Sequence, residues 1–468
     1  MPCNTQEKYH LIGIGGIGMS GIARILLEKK CAVSGSDLCS SDITENLKQE
    51  NARIFIGHAE ENVPPSATVI FNTDIKENNP EYIAALKWNC RRIHRSEMLA
   101  DLMNQSNSLA VTGTHGKTST TALLSWTLFI GGMDPSFCVG GILPVFKSNA
   151  RLGKGPYFVV EADESDGSFL RYYPFGSIIT NIDFDHMDYF KDENHLVQAF
   201  QQFISQVKKP EFTFWCGDDK RLRNITKKGV AYGFEADSEC RCSRPSQRGW
   251  TCFFDLNFDG QLYQDIELGL IGNHNILNAT AVFGLALRLG VSEENLRLAL
   301  KTFGGVGRRL EKKGEYDSIL FLDDYAHHPN EISTTLKAIR KAVPERRLVV
   351  VFQPHRYTRT KECMKEFGTV FDACDELVLT DIYAAGELPI LGINSHRLFA
   401  EIQPVSVAAS RYVSKEDLVQ DLIHSIRPGD VVVTVGAGNI THVGEEILLE
   451  LKKRYNDEKK SLEVEVER

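Results

Sequence analysis

At 468 residues the chain has material for about three domains of the usual ~150 residues. Its 42% apolar and 25% charged fractions are those of a globular chain that needs no disulfide or metal staple. A balance of 53 basic against 62 acidic residues, net −9, excludes a broadly basic face for nucleic acid.

In chain order, Tyr9–Ile12 reads as a strand running into G-I-G-G-I-G-M (Gly13–Met19), with a helix over Ser20–Lys29 and a second strand from Ala32 to Ser34 that ends at Ser36-Asp37. This is a βαβ opening, and it gives Gly13-x-Gly15-x-x-Gly18 a structural context. Val69–Phe71 reads as a strand and Pro80–Lys87 as a helix, with a domain boundary at the polar run Asn104–Asn107. Leu109–Val111 is a strand delivering Thr112–Thr121, then a helix through Ile130 that stops at Gly131-Gly132. Strands at Tyr157–Val160 and Ser177–Thr180 continue a parallel pattern, and residues 211–270 read as an antiparallel insertion. A second boundary falls in the charged stretch Glu311–Gly314. Strands at Ile319–Leu322, Leu348–Phe352, Glu376–Thr380 and Asp430–Val435 then make a third α/β unit. The expected division is 1–106, 107–312 and 313–451, followed by a frayed charged tail, 452–468.

Eleven cysteines, mostly scattered singly, suggest reduced thiols in a cytoplasmic protein, and the lone Cys240-x-Cys242 pair is a poor zinc signature. The polar N-terminus carries no visible secretory signal. The longest apolar run, near Ala122–Gly132, is broken by Ser125 and Thr127, so no membrane insertion is expected.

The strongest chemical signal is Gly113-Thr114-His115-Gly116-Lys117-Thr118 between strand and helix. Such a loop presents backbone N–H groups and the helix dipole to phosphates, with lysine as a mobile charge and the next hydroxyl able to hold Mg²⁺. It is two residues shorter than the usual G-x-x-x-x-G-K-[ST]. Glu161, Asp163, Glu164 and Asp166 crowd a strand end, where a cation site or an acidic turn are both open readings. His186, among the aspartates of Asn181–Asp188, is a candidate metal or phosphate residue. In Gly272–Asn278 the amides of Asn275 and Asn278 suit adenine, or cap a helix. Gly304–Arg309 offers Arg308 and Arg309 on a glycine hinge for phosphate. In the last unit, Asp323–Pro329 and Gln353–Thr360 follow strand ends, where open parallel sheets bind ligands, and Arg356 and Arg359 form an anion site or a surface ion-pair cluster. Rival classes are an NAD-dependent oxidoreductase built on Gly13–Asp37, which leaves everything after residue 100 unexplained, and a P-loop ATPase stimulated by a protein partner.

Together, G-I-G-G-I-G-M, T-G-T-H-G-K-T, E-A-D-E-S-D, D-H-M-D, H-N-x-x-N, G-R-R, D-D-Y-A-H-H-P, F-Q-P-H-R-Y-T-R-T and D-I-Y-A-A-G-E resemble, in order from Gly13 to about Gly438, the Mur ligases. These are ATP-dependent amide-forming enzymes of peptidoglycan (cell wall) precursor synthesis. The motifs are most similar to those of the alanine-adding branch; Q-P-H-R-Y-T-R-T argues against the tripeptide-recycling branch, and no lysine matches the carbamylated one of the later ligases. The resemblance implies two Rossmann-like domains flanking a central P-loop ATPase domain, with UDP-N-acetylmuramate and L-alanine as small-molecule substrates and ATP and Mg²⁺ as cofactors. A cytoplasmic monomer or weak homodimer is expected. Gly15, Gly16, Gly18, Met19, Ser36 and Asp37 would then form the UDP-sugar cradle in place of an NAD site. The nucleotide would engage Gly113–Ser119, Asn275, Asn278, Arg308 and Asp324. Thr118 and Glu161 would hold one Mg²⁺ and His186 another. Lys117 would act on the transferring phosphoryl group, with His327, Arg356 and Arg359 orienting alanine and the sugar carboxylate.

Overall fold

The computed structural model describes residues 7–183, 189–403 and 409–466, with side chains through Lys453. The fold is mixed α/β with three sheets. The first has β1 (Lys8–Ile12), β2 (Ala32–Asp37), β3 (Arg53–Ile56), β4 (Thr68–Phe71) and β5 (Arg92–His94), all parallel, in the order β3-β2-β1-β4-β5. The second is built from β6 (Asn107–Thr112), β7 (Ser136–Leu143), β8 (Ser148–Arg151), β9 (Tyr157–Glu161), β10 (Gly176–Ile179), β11 (Thr213–Cys216), β12 (Val230–Gly233), β13 (Cys240–Arg248), β14 (Thr251–Phe258) and β15 (Gln261–Leu268). Its order is β15-β14-β13-β12-β11-β10-β6-β9-β7-β8, so β6 lies between β10 and β9 where the winding reverses. The third has β16 (Glu311–Tyr316), β17 (Ile319–Asp324), β18 (Leu348–Phe352), β19 (Glu376–Leu379), β20 (Ala409–Tyr412) and β21 (Val431–Val435), in the order β16-β17-β21-β18-β19-β20.

By compactness the chain forms two units. One holds residues 1–246, 253–269 and 274–304; the other holds 247–252, 270–273 and 305–468. In the first unit, helix Ile17–Glu28 buries Met19 to Leu26 and packs on β7 and β8 as well as on its own sheet. The approach is close: a Cβ on Gly21 would lie 2.6 Å from Cys138 Sγ. Fully buried Asn149 donates to Ile17 O at 2.6 Å and to Ser20 Oγ at 3.1 Å, and accepts from Arg24. In the second unit the sheet is buried on both faces. Leu348, Val350 and Phe352 of β18 enter one core and Val349 and Val351 the other, the period-two alternation of a parallel strand covered twice.

Two expectations are corrected. Residues 211–270 are antiparallel only in their second half: β11 and β12 extend the parallel sheet and β13 joins it parallel, while the two-residue links after β13 and β14 turn β13–β15 antiparallel. Phe214–Cys216 and Val230–Gly233 are buried throughout, so they carry no alternation for a sequence reading to catch. Glu311–Gly314, where the second boundary is expected, lies within β16, an edge strand paired antiparallel with β17. The tail from 452 continues helix Thr441–Val466, as its run of Lys, Glu, Arg and Leu favours. No described helix is long and apolar enough to cross a membrane, and the described cysteines are all free thiols.

Candidate active site

The candidate site residues gather at the carboxyl ends of all three sheets. On the first, Gly13 turns the chain with φ +76°, and the N–H groups of Gly13 and Ile14 donate to Ser36 O at 2.8 and 2.9 Å. Asp37 Oδ2 accepts from Gly15 N at 2.9 Å, so Asp37 clasps the glycine loop. Helix Ile17–Glu28 starts at Gly16 with no side-chain cap, which leaves its first-turn N–H groups for an anion. Gly18 is backed by Arg95, whose Nη1 would stand 3.0 Å from a Cβ there. Met19 and Ser36 are buried. The Ser36 hydroxyl bonds to Glu81 and to His58 Nδ1 (2.9 Å), while Glu81 also takes His10 Nε2 (3.3 Å) and Asn62 Nδ2 (2.7 Å). These two brace the loop from below and present no polar side chain to a ligand. Arg95 escaped the sequence reading because β5, which aims it, is only Arg92–His94.

On the second sheet, β6 delivers the loop Gly113–Gly116 to helix Lys117–Ile130, again without a side-chain cap. Gly113 (φ +129°) and Gly116 (φ +82°) need glycine's freedom; a Cβ on Gly113 would sit 2.1 Å from Thr180 Oγ1. Thr114 Oγ1 donates to Asp183 O at 3.3 Å, and His115 N donates to Asn181 Oδ1 at 2.9 Å. Lys117 Nζ donates to Gly113 O (2.7 Å) and Thr114 O (3.2 Å) and pairs with Glu164 at 2.8 Å. Burial alone would lower the Lys117 ammonium, but Glu164 and Asp163 outweigh it and hold it above the ordinary lysine value. Thr118 Oγ1 donates to Glu161 Oε1 at 3.0 Å, and Glu161 Oε2 accepts from Gly140 N at 2.8 Å. The hydroxyl and carboxylate thus meet in the helix's first turn, directly after the loop. Ser119 stands half-buried in the same first turn. Asn278 lies against the loop, its Oδ1 3.2 Å from where a Cβ on Gly116 would be, and its Nδ2 approaches Asn275 Oδ1 at 3.4 Å. His186 lies outside the described residues.

A divalent cation has a plausible chemistry here. Thr118 and Glu161 supply two oxygens beside the lysine, and Mg²⁺ commonly takes one or two protein oxygens and completes its shell with water and phosphate. No set of three or more candidate His, Cys, Asp or Glu ligands occurs among the described residues.

In the second unit, β17 and β18 flank β21 and carry the third set. Arg308 Nη2 donates to Gly436 O (2.8 Å) and Gly438 O (2.9 Å), and its guanidinium lies 4.7 Å over the Tyr325 ring. Asp324 is buried, accepting from Leu310 N (2.8 Å) and Ala326 N (2.7 Å); burial pushes its carboxyl up to about 6 against the pull of Arg309. It shapes the turn that presents His327. Arg359 Nη1 lies 3.2 Å from His355 Nδ1, His355 stacks on Tyr383 at 5.7 Å, and His327 lies 5.8 Å from His355 between ring centres. Burial brings His327 down to about 4 and His355 to about 3, the latter helped by His327 and Arg359. Both imidazoles are therefore neutral at physiological pH. Arg356 holds φ +69° and ψ 141°, a backbone state close to glycine's alone, fixed by its N–H donating to Tyr383 O at 2.8 Å. The stack of His355 on Tyr383 was missed, because nothing in sequence announces a contact across 28 residues.

The structure thus brings Gly15, Gly16, Gly18 and Asp37 together on one loop, and Gly113–Ser119, Glu161, Asn275 and Asn278 around another. Arg308, Asp324, His327, Arg356 and Arg359 share one edge of the third sheet. Sequence profiles agree along the whole chain: the Mur ligase family, catalytic domain, matches residues 8–107; the Mur ligase middle domain, 111–286; and the Mur ligase, glutamate ligase domain, 308–438. The UDP-N-acetylmuramate–L-alanine ligase of Protochlamydia amoebophila is 50% identical, covering 96% of this chain and 100% of that protein. Its counterpart in Geotalea uraniireducens is 44% identical over 95% and 98%. Among solved structures, the UDP-N-acetylmuramate–alanine ligase of Thermotoga maritima superposes with a TM-score of 0.83 at 26% identity, covering 96% of this chain and 99% of that one.

Proposed function

The chain belongs to the Mur ligase family, and we propose from that membership that it joins L-alanine to the carboxylate of UDP-N-acetylmuramate with ATP as the driving reagent. The observation that carries the reading is the glycine loop that hands on to Lys117 and Thr118, Lys117 paired with Glu164 and Thr118 bonded to Glu161, in a chain half identical to a ligase of that name. A carboxylate is too poor an electrophile for an amine. Transfer of the γ-phosphoryl group makes it an acyl phosphate; the alanine amine adds to the carbonyl carbon, and phosphate leaves as the amide forms.

Lys117 supplies a positive charge to the transferring phosphoryl group, and the uncapped helix it begins adds backbone donors. Thr118 and Glu161 would hold Mg²⁺, with His186 a second candidate; bound there, the ion offsets charge on the phosphates. Asn275 and Asn278 face the adenine side. Gly15, Gly16, Gly18 and Asp37 cradle the UDP diphosphate, braced by Met19 and Ser36. Arg356 and Arg359 suit carboxylates through their planar forks, while neutral His327 orients the amino acid. Arg308 and Asp324 serve the nucleotide side. Three domains, divided near 106 and 312, follow the three sheets, in a cytoplasmic monomer or weak homodimer.

The test is phosphate release from ATP with UDP-N-acetylmuramate, screened against single amino acids. Release that requires both the UDP-sugar and L-alanine is the expected result. Release indifferent to the sugar would refute the assignment.

A further inference from the structure

Within the first unit, a charged bridge joins the glycine loop of the first sheet to the phosphate loop of the second. Arg95 Nη1 reaches the first loop, 3.0 Å from where a Cβ on Gly18 would be. Nη2 of the same guanidinium lies 3.5 Å from Asp166 Oδ2 and 3.7 Å from Asp163 Oδ2. Thr73, just past β4, donates to that Asp166 oxygen at 3.1 Å. Asp163 and Asp166 bracket Glu164 in a tight turn: Ser165 N donates to Asp163 Oδ1 (3.2 Å), Gly167 N to Glu164 O (2.8 Å) and Ser168 N to Asp166 Oδ1 (3.0 Å). Glu164 in turn clasps Lys117. Lys117 already directs its ammonium to Gly113 O, Thr114 O and Glu164, so its three donors are all engaged within the protein.

We propose that Arg95 is a positioning residue that couples the two loops, so that a diphosphate on Gly15–Gly18 loosens the Asp163–Asp166 turn and releases Lys117 to a nucleotide. This rests on the reading of the first loop as the UDP-sugar cradle. The physical basis is competition for one cation. A diphosphate arriving beside Gly18 shares the guanidinium that restrains Asp163 and Asp166, and the fork cannot serve both at full strength. The turn is short and stiff, so a shift at Asp166 is felt two residues away at Glu164. Nucleotide then binds more tightly when the acceptor sugar is in place, and by linkage the sugar binds more tightly with nucleotide. Such coupling would restrain ATP hydrolysis in the absence of an acceptor.

Calorimetry on the full chain would measure affinity for an ATP analogue with a non-transferable γ-phosphate, with and without saturating UDP-N-acetylmuramate. The wild type should bind the analogue about five-fold tighter or more with the sugar present, the lower end of typical couplings. Asp166→Asn keeps the side chain's shape and its acceptor for Ser168; Arg95→Lys keeps the charge but loses the fork. Both should bring the ratio below about two-fold by binding the analogue alone about five-fold tighter than wild type, as the sugar-bound wild type does, and that binding also shows that they fold. A wild-type ratio near one, or a ratio undiminished in either variant, overturns the coupling. Wild-type protein that binds no UDP-N-acetylmuramate would instead refute the reading of the cradle.

Discussion

Lys117 is held by two carbonyls and a buried carboxylate, an arrangement that stores a cation next to where phosphates would lie. Lys117→Ala should therefore lower turnover by about 10³-fold or more while leaving UDP-sugar binding intact, since that ligand's loop is on another sheet. Phosphate-release kinetics beside calorimetry would show the split, and near-normal turnover would remove Lys117 from the phosphoryl site. His327 and His355 make a second prediction. Their folded values, about 4 and about 3, lie below the ordinary histidine value, so the unfolded chain takes up protons first as pH falls. Stability from these rings is complete above pH ~6.5 and declines steadily toward pH ~4. His355→Phe should keep the stack on Tyr383 and reduce the proton uptake on unfolding by roughly one proton. Urea unfolding at a series of pH values measures this, and a slope equal to that of the wild type would contradict it. Lys117, Thr118 and Asn278 were legible because each sits in a motif whose spacing carries the chemistry. Glu164's clasp, Arg95 and the His355 stack were not, because each depends on side chains that only the fold brings together.

Elements with strong local signals were read to the residue. Helix Pro80–Lys87 has Asn79 as its cap, accepting from Glu81 N and Tyr82 N, with proline in its first turn; strand Leu348–Phe352 is five apolar residues in a row. Short strands such as β5, and buried ones such as β11, lack both periodicity and length, so only pairing with neighbours defines them. The phosphate loop yields a prediction at this scale. Gly116→Ala puts a Cβ at φ +82° and 3.2 Å from Asn278 Oδ1. It should cost about 1–3 kcal/mol of stability and weaken nucleotide binding, because the loop and the Asn278 amide are displaced together. Urea denaturation and nucleotide titration of the variant test this; wild-type values in both would mean that the loop does not need its left-handed glycine.

The order of the sheets was legible from the order of the motifs, but the intimacy of the first two was not. Arg24, Ser20 and Gly21 look like ordinary helix residues until Asn149 and Cys138 are set against them. A fragment of residues 1–106 strips away those partners and exposes a buried arginine, whereas 1–304 keeps them. The longer fragment should thus unfold cooperatively at a clearly higher temperature than the shorter one. Scanning calorimetry giving equal midpoints would show the first sheet to be self-sufficient. At one edge of the third sheet, β16 closes it with Glu311, Lys312, Lys313 and Glu315, and its register shifts between Lys312 and Gly314. A stray strand pairing there would have to strip water from ammonium and carboxylate groups and follow an irregular ladder. The charged stretch is a guard against aggregation: it closes one edge of a sheet whose inner strands β17, β21, β18 and β19 are mostly valine, leucine and phenylalanine to recruitment of a neighbour's strand.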